Sequence, residues 1–175
     1  MRVISGKHGG RKLKEFSGNA VRPTSDRAKE ALFNILGNIS GLSFLDLFSG
    51  TGAIGIEALS RGAYPVTLVD SSAESVKIEK DNLNSIGETA TVVKSDAYDF
   101  LNKSAGGYDI IFLDPPYKEN AFAALEIVAK RNLLKKGGLL IYEHSGEEIT
   151  PPVGLKLHDS RKYGVAKFDF YTSGD

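Results

Sequence analysis

The sequence contains no cysteine and no tryptophan, one methionine and only six prolines among 175 residues. Without cysteine there is no disulfide, no thiolate metal ligand and no cysteine nucleophile. Long apolar runs are equally scarce. No window approaches the roughly eighteen uncharged apolar residues that a membrane-spanning helix requires, and the Met1-Arg2-Val3-Ile4 start lacks the apolar segment of a secretory signal. These absences lead to the expectation of a soluble, cytoplasmic protein that uses neither membrane nor metal. The length suits one domain with an ordinary core, and a monomer is expected because no apolar helix face is left over.

Net charge is absent too, 22 basic residues facing 22 acidic ones. The balance is uneven along the chain. Residues 1 to 30 hold eight basic side chains (Arg2, Lys7, Arg11, Lys12, Lys14, Arg22, Arg27, Lys29) against Glu15, Asp26 and Glu30, an excess of +5 that leaves −5 to the remainder. A basic arm on an acidic body fits a polyanion, most commonly nucleic acid, although a solvated surface strand carries the same signature.

What is present alternates regularly. After a glycine-punctuated arm over residues 1–16, which reads as a hairpin or an irregular segment, Ala28, Ala31, Leu32, Ile35 and Leu36 recur with helical period. Thr24 or Ser25 serves as N-cap and Gly37 as stop. Strands are then expected at 43–47, 65–69, 91–94, 108–113 and 138–143. Helices are expected at 53–61, 73–86, 97–101 and 120–134. Strands alternating with helices imply a parallel sheet covered on both faces. Residues 155–159 and 165–171 have only Ser160-Arg161-Lys162-Tyr163-Gly164 between them, which implies an antiparallel hairpin closing the sheet. The expected fold is therefore Rossmann-like α/β of the class I methyltransferase type, with seven strands, a C-terminal hairpin and a small N-terminal extension. The division falls at residues 1–38, a basic N-terminal extension with a helix, and 39–175, the domain that forms the sheet.

Two turns carry the chemistry. Asp46-Leu47-Phe48-Ser49-Gly50-Thr51-Gly52-Ala53-Ile54-Gly55 follows one apolar run, and Asp70 lies 20 residues beyond Gly50. Small residues admit a ligand to the backbone, the following helix offers its N-terminus, and an acidic residue after the second strand accepts ribose hydroxyls. NAD and S-adenosylmethionine both contain adenosine, so this spacing serves either. A carboxylate at Asp46 disfavours a pyrophosphate and suits the cationic amino acid end of S-adenosylmethionine. Asp96, after the third strand, reads equally as a helix cap and as an acceptor for the adenine amino group with Ala97 beside the ring. The expected cofactor site comprises Asp46, Phe48, Ser49, Gly50, Thr51, Gly52, Asp70, Ser71, Asp96, Ala97 and Asp114.

The second turn is Asp114-Pro115-Pro116-Tyr117, after Ile110-Ile111-Phe112-Leu113. A purine amine is a poor nucleophile because its lone pair is delocalised into the ring. The Asp114 carboxylate and the Pro115 carbonyl can each accept one amine hydrogen as the nitrogen becomes pyramidal, while the rigid prolines hold the turn. Tyr117 offers a ring for base stacking. Asp114, Pro115 and Tyr117 are the expected catalytic residues. His8, His144 and His158 are dispersed without ligand spacing and are expected at the surface or in packing, and no metal site is expected.

These turns, together with Arg22-Pro23-Thr24-x-Asp26-Arg27-x-Lys29-Glu30-Ala31-Leu32-Phe33-Asn34-Ile35-Leu36, resemble the bacterial 16S ribosomal RNA guanine-N2 methyltransferase family, RsmD type. The likeness runs from Arg2-Val3-Ile4-Ser5-Gly6 to Arg161-Lys162-Tyr163-Gly164. It implies S-adenosylmethionine as cofactor, one guanine N2 of 16S rRNA as target, and the small (30S) subunit, assembled or partly assembled, as partner. It further implies RNA contacts by Arg2, Lys7, Arg11, Lys12, Arg22, Thr24 and Arg27, with Arg161 adding a second contact or standing in an ordinary charged turn. An adenine-N6 methyltransferase, a protein glutamine-amide methyltransferase, an NAD-dependent oxidoreductase and a non-catalytic RNA-binding module remain as alternatives.

Overall fold

A computed structural model describes residues 1–18, 24–146 and 148–174; Arg22, one of the expected RNA contacts, lies outside them. Five helices, α1 (Asp26–Leu36), α2 (Ala53–Ser60), α3 (Ala73–Ile86), α4 (Ala97–Lys103) and α5 (Ala121–Lys130), alternate with seven strands. The strands are β1 (Phe44–Leu47), β2 (Val66–Asp70), β3 (Thr91–Lys94), β4 (Tyr108–Leu113), β5 (Leu134–His144), β6 (Leu155–Tyr163) and β7 (Ala166–Ser173). They form one sheet in the order β3-β2-β1-β4-β5-β7-β6. Strands β1 to β5 run parallel, and β7 lies antiparallel between β5 and β6. This is the expected α/β fold with its closing hairpin.

Side chains alternate across the central strands and so build two apolar layers. Phe44, Phe112 and Ile141 face Phe33 of α1, Ile56 of α2 and Leu83 of α3. Leu45, Ile111, Leu113 and Leu140 face Leu101 of α4 and Leu125 of α5. Val3 and Leu13 of the N-terminal arm belong to the first layer. The expected extension over residues 1–38 therefore shares one core with the sheet. Among the described residues no helix is long and apolar enough to cross a membrane.

Three boundaries differ from the sequence expectation by more than two residues. Helix α5 stops at Lys130 rather than at residue 134, because Asn132 adopts a positive φ of 50° and turns Leu133 back toward the sheet. Strand β5 accordingly begins at Leu134, irregular in register where a Cβ at Gly138 would press on the Lys135 carbonyl and crowd those of Tyr108 and Asp109. Strand β6 continues to Tyr163, so the hairpin turn is Gly164-Val165 rather than residues 160–164. Its polar residues do not end the ladder because β6 is an edge strand, where one side faces water; a bulge between Leu157 and Asp159 interrupts its register.

The arm is held by a buried carboxylate. Glu57 of α2 is fully buried and accepts from the Ile4 N–H (2.7 Å), the Ser5 N–H (3.1 Å) and Arg61 Nε (2.8 Å). Lys29 of α1, also buried, lies 3.8 Å from the same carboxylate and donates to the Arg2 carbonyl at 2.5 Å. Burial lowers the Lys29 pKa, while the charge of Glu57 opposes the shift. Glu57→Ala would leave Lys29 without its counterion, and such losses cost about 3–5 kcal/mol. Urea unfolding is expected to show a loss of that size, together with faster hydrogen exchange at Ile4 and Ser5. A change under about 1 kcal/mol would mean that the network does not anchor the arm.

Candidate active site

Two cavities open at the C-terminal ends of the parallel strands, where open α/β sheets bind ligands. The larger, about 690 Å³, is lined by the glycine turn from Phe48 to Thr51, by Asp46, Asp70 and Ser71, by Ile54 and Phe112, and by Glu15 and Phe16 of the arm. The smaller, about 370 Å³, lies beneath Thr24, Tyr142, Glu143 and His144 and reaches the β6–β7 turn. Thr24, Ser145 and the whole Asp114-Pro115-Pro116-Tyr117 turn line both.

Buried acceptors hold the glycine turn in shape. The Gly55 N–H donates to Asp46 Oδ2 at 2.8 Å, and a Cβ at Gly55 would strike Leu68, so this close helix–strand approach requires glycine. The Gly50 N–H donates to Asp70 Oδ2 (2.9 Å) and the Ser72 N–H to Asp70 Oδ1 (2.9 Å). Ser49 Oγ donates to Glu79 Oε1 at 2.5 Å, and Asn82 Nδ2 donates to the carbonyls of both Thr51 (3.0 Å) and Lys14 (3.1 Å). Phe48 takes a positive φ of 58°, unusual for a bulky residue, and its ring meets Tyr98 edge-on. Gly52 caps α2 in the left-handed conformation and does not line the cavity.

Electrostatically the larger cavity is one-signed. Its described lining includes Glu15, Asp46, Asp70 and Asp114 but no Lys, Arg or His. Burial pushes the Asp46 carboxyl well above the usual range, with the Gly55 N–H opposing and the charges of Glu79, Asp114 and Asp70 adding. Such a lining favours a cationic ligand and repels a pyrophosphate. Among the described residues no group of three or more His, Asp or Glu is placed to hold a metal ion.

At the junction of the cavities Asp114 is pushed well above the ordinary carboxylate range, first by burial and then by the charge of Glu143. Burial also raises Glu143, against which Thr24 Oγ1 donates a hydrogen bond of 2.7 Å. After Pro115, the Glu119 N–H donates to the Pro116 carbonyl (2.8 Å), closing a turn that leaves Tyr117 82% exposed. Tyr98 Oη, 3.1 Å from Glu119 Oε2 and 3.2 Å from the Asn120 carbonyl, braces that turn. His144 is bonded to Asp169 at 2.7 Å and stacks on Tyr142.

The structure thus brings together Asp46, Phe48, Ser49, Gly50, Thr51, Asp70, Ser71, Asp114, Pro115, Tyr117 and Thr24. Asp96 caps α4 by accepting from the Asp99 N–H, Ala97 is buried in the second apolar layer, and neither lines either of the two cavities. The basic arm is partly neutralised. Arg2 pairs with Asp26, Lys7 with Glu88 and, on β6 rather than in the turn, Arg161 with Asp159. Arg11, Lys12 and Arg27 are exposed and have no ion pair among the described residues. Sequence reasoning missed Tyr142, Glu143 and His144. Their signal was position, polar residues at the end of the strand that runs beside β4.

The family model for conserved hypothetical protein 95 matches residues 1–172. The chain belongs to that family. A candidate rRNA methyltransferase of Bacillus subtilis, YlbH, is 39% identical over 180 residues, covering 98% of each chain. The ribosomal RNA small subunit methyltransferase D of Haemophilus influenzae is 33% identical over 179 residues, covering 98% of this chain and 93% of that protein. Among solved structures, the Escherichia coli protein yhhF, described as a candidate methyltransferase, superposes with a TM-score of 0.88 at 30% identity. The match covers 99% of this chain and 97% of that one.

Glu79, beneath the glycine turn, supplies a pH test. Burial pushes its carboxyl up to about 7, and Oε2 has no hydrogen-bond partner among the described residues. Because the folded-state pKa exceeds the unfolded one, the proton stabilises the fold fully below about pH 4.5, and that stability is lost as pH rises through 7. Glu79→Gln cannot lose it. The stability difference between variant and parent should therefore move in the variant's favour between pH 4.5 and 7 and level off above, by up to about 3 kcal/mol. Urea titrations at several pH values measure this, and parallel pH profiles would refute the shift.

Proposed function

We propose that the protein transfers a methyl group from S-adenosylmethionine to the exocyclic N2 of one guanine in small-subunit ribosomal RNA. The observation that carries this reading is the junction of the two cavities at Asp114-Pro115-Pro116-Tyr117, one acid-lined and suited to a sulfonium-bearing nucleoside, the other sized for a base. Relatives bearing ribosomal RNA methyltransferase names over nearly the whole chain support the target class.

The residues fit the cofactor. Asp46 and Glu15 supply negative charge for an ammonium and a sulfonium, Asp70 has remaining lone pairs for ribose hydroxyls, and Phe48, Ile54 and Phe112 supply apolar walls. S-adenosylmethionine, when bound, brings a methyl group on an already activated leaving group. The chain's own task is to present the nucleophile. Asp114 Oδ and the Pro115 carbonyl each accept one N2 hydrogen, which draws the lone pair out of conjugation and aims it along the shared opening. Burial disfavours an ionised Asp114, and the amine's N–H groups restore the charged form by hydrogen bonding to it. As the N–C bond forms, the methyl–sulfur bond breaks with its electron pair going to sulfur, S-adenosylhomocysteine is left, and the surplus amine proton passes to the Asp114 carboxylate and on to water. Tyr117 stacks on the base, a contact worth about 1–3 kcal/mol.

Since N2 lies on an edge used in base pairing, the guanine is taken from a loop or flipped from its stack. Arg11, Lys12 and Arg27 contact phosphates. The cations already paired within the fold, Arg2, Lys7 and Arg161, contribute less.

The deciding experiment is labelled methyl transfer to undermethylated small subunits, to free rRNA and to duplex DNA, followed by nucleoside analysis. Label is expected in N2-methylguanosine of the small subunit or its rRNA; label in N6-methyladenosine would overturn the target. In the same assay Asp114→Ala is expected to lose at least about 100-fold in rate while calorimetry shows S-adenosylmethionine still bound. Undiminished transfer would eliminate the amine clamp.

A further inference from the structure

The floor of the smaller cavity holds a feature that the amine clamp leaves unused. Glu143, at the end of β5, lines that cavity beside Asp114, close enough for its charge to oppose ionisation of Asp114. The described lining offers no Lys or Arg to compensate the pair, and the one imidazole, His144, is committed to Asp169. Thr24 Oγ1 occupies Glu143 Oε2, which fixes the carboxylate and leaves Oε1 as a remaining acceptor. Two neighbouring acceptors without a cation call for a ligand that presents two neighbouring donors.

Guanine presents such a pair, N1–H beside the N2 amine, whereas adenine shows an acceptor at N1 beside its amine. Resting on the guanine-N2 reading above, we propose that Glu143 is a specificity-determining residue that accepts the guanine N1–H while Asp114 holds the adjacent amine. Adenine in the same pose would set its N1 lone pair against a buried carboxylate. Sites built to bond a particular polar group reject analogues lacking it more strongly than apolar pockets reject a missing methylene. Thr24 acts through Glu143 as a positioning residue, joining the segment before α1 to the floor of the base cavity.

2-Aminopurine separates the two roles, since it keeps the exocyclic amine and has no N1–H. Small subunits are reconstituted with rRNA carrying guanine or 2-aminopurine at the position the unmodified enzyme methylates, and kcat/KM is measured for both. The parent enzyme should prefer guanine by at least about 30-fold, a ratio in the range of polar-group discrimination. Glu143→Gln, whose amide offers a donor to N1 of 2-aminopurine in place of the repelling carboxylate, should lose most of its guanine rate and gain on 2-aminopurine. Glu143→Asp, which keeps the charge and withdraws it by one methylene, should fall between; it stands in if the glutamine variant does not fold.

Equal loss on both substrates, or an unchanged preference, would overturn the assignment, as would a parent enzyme that does not distinguish them. Failure of the guanine-N2 reading itself appears separately, as absence of N2-methylguanosine with the parent enzyme on guanine.

Discussion

Backbone amides of the glycine turn are held by carboxylates, and the geometry of the whole site depends on that. Asp46 takes the Gly55 N–H from below, while Asp70 takes the Gly50 and Ser72 N–H groups from the side. The Asp70–Gly50 bond crosses from the end of β2 to the connection after β1, and the Asp46–Gly55 bond ties β1 to the helix that follows it, so β1, β2 and the start of α2 are set relative to one another before any ligand arrives. The cost is charge concentrated under the turn. Burial pushes the Asp46 carboxyl well above the usual range and Glu79 up to about 7, which eases the crowding of several acids in a small volume. The same concentration gives the cavity its sign.

Much of this was legible in the residues. The apolar runs, helical periods and glycine stops placed every element, because in a doubly covered parallel sheet burial alone decides the pattern. The two turns were legible because glycine and proline carry backbone instructions that other residues do not. Element ends were less so. Leu133 and Leu134 continue the helical apolar pattern of α5, yet Asn132 at positive φ diverts them into the sheet. The hairpin's polar residues read as a turn because a sequence does not reveal that its strand is an edge.

Glu143 and His144 were missed for a different reason. A carboxylate after an apolar strand looks the same whether it faces water or a cavity, and only the β4–β5 pairing puts Glu143 beside Asp114. The basic arm shows the converse. Its charge count suggested a polyanion site, but Lys7 and Lys14 each meet an acid on the body and Arg2 meets Asp26 within its own segment, so part of the excess serves to dock the arm. Counting charges along a chain does not reveal which of them the fold has already spent.

The edge strand β6 has a consequence for the solution behaviour of the sheet. An outermost strand offers a row of free N–H and C=O groups to any extended chain that approaches, the usual route to sheet growth between molecules. Here the row is broken by the bulge after Leu157, and Lys156, Asp159, Arg161 and Lys162 line the strand with groups that resist leaving water. A second strand would have to skip a register and strip those side chains of their hydration. The seven-stranded sheet is therefore terminated chemically at the end where the fold supplies no eighth strand to cover it.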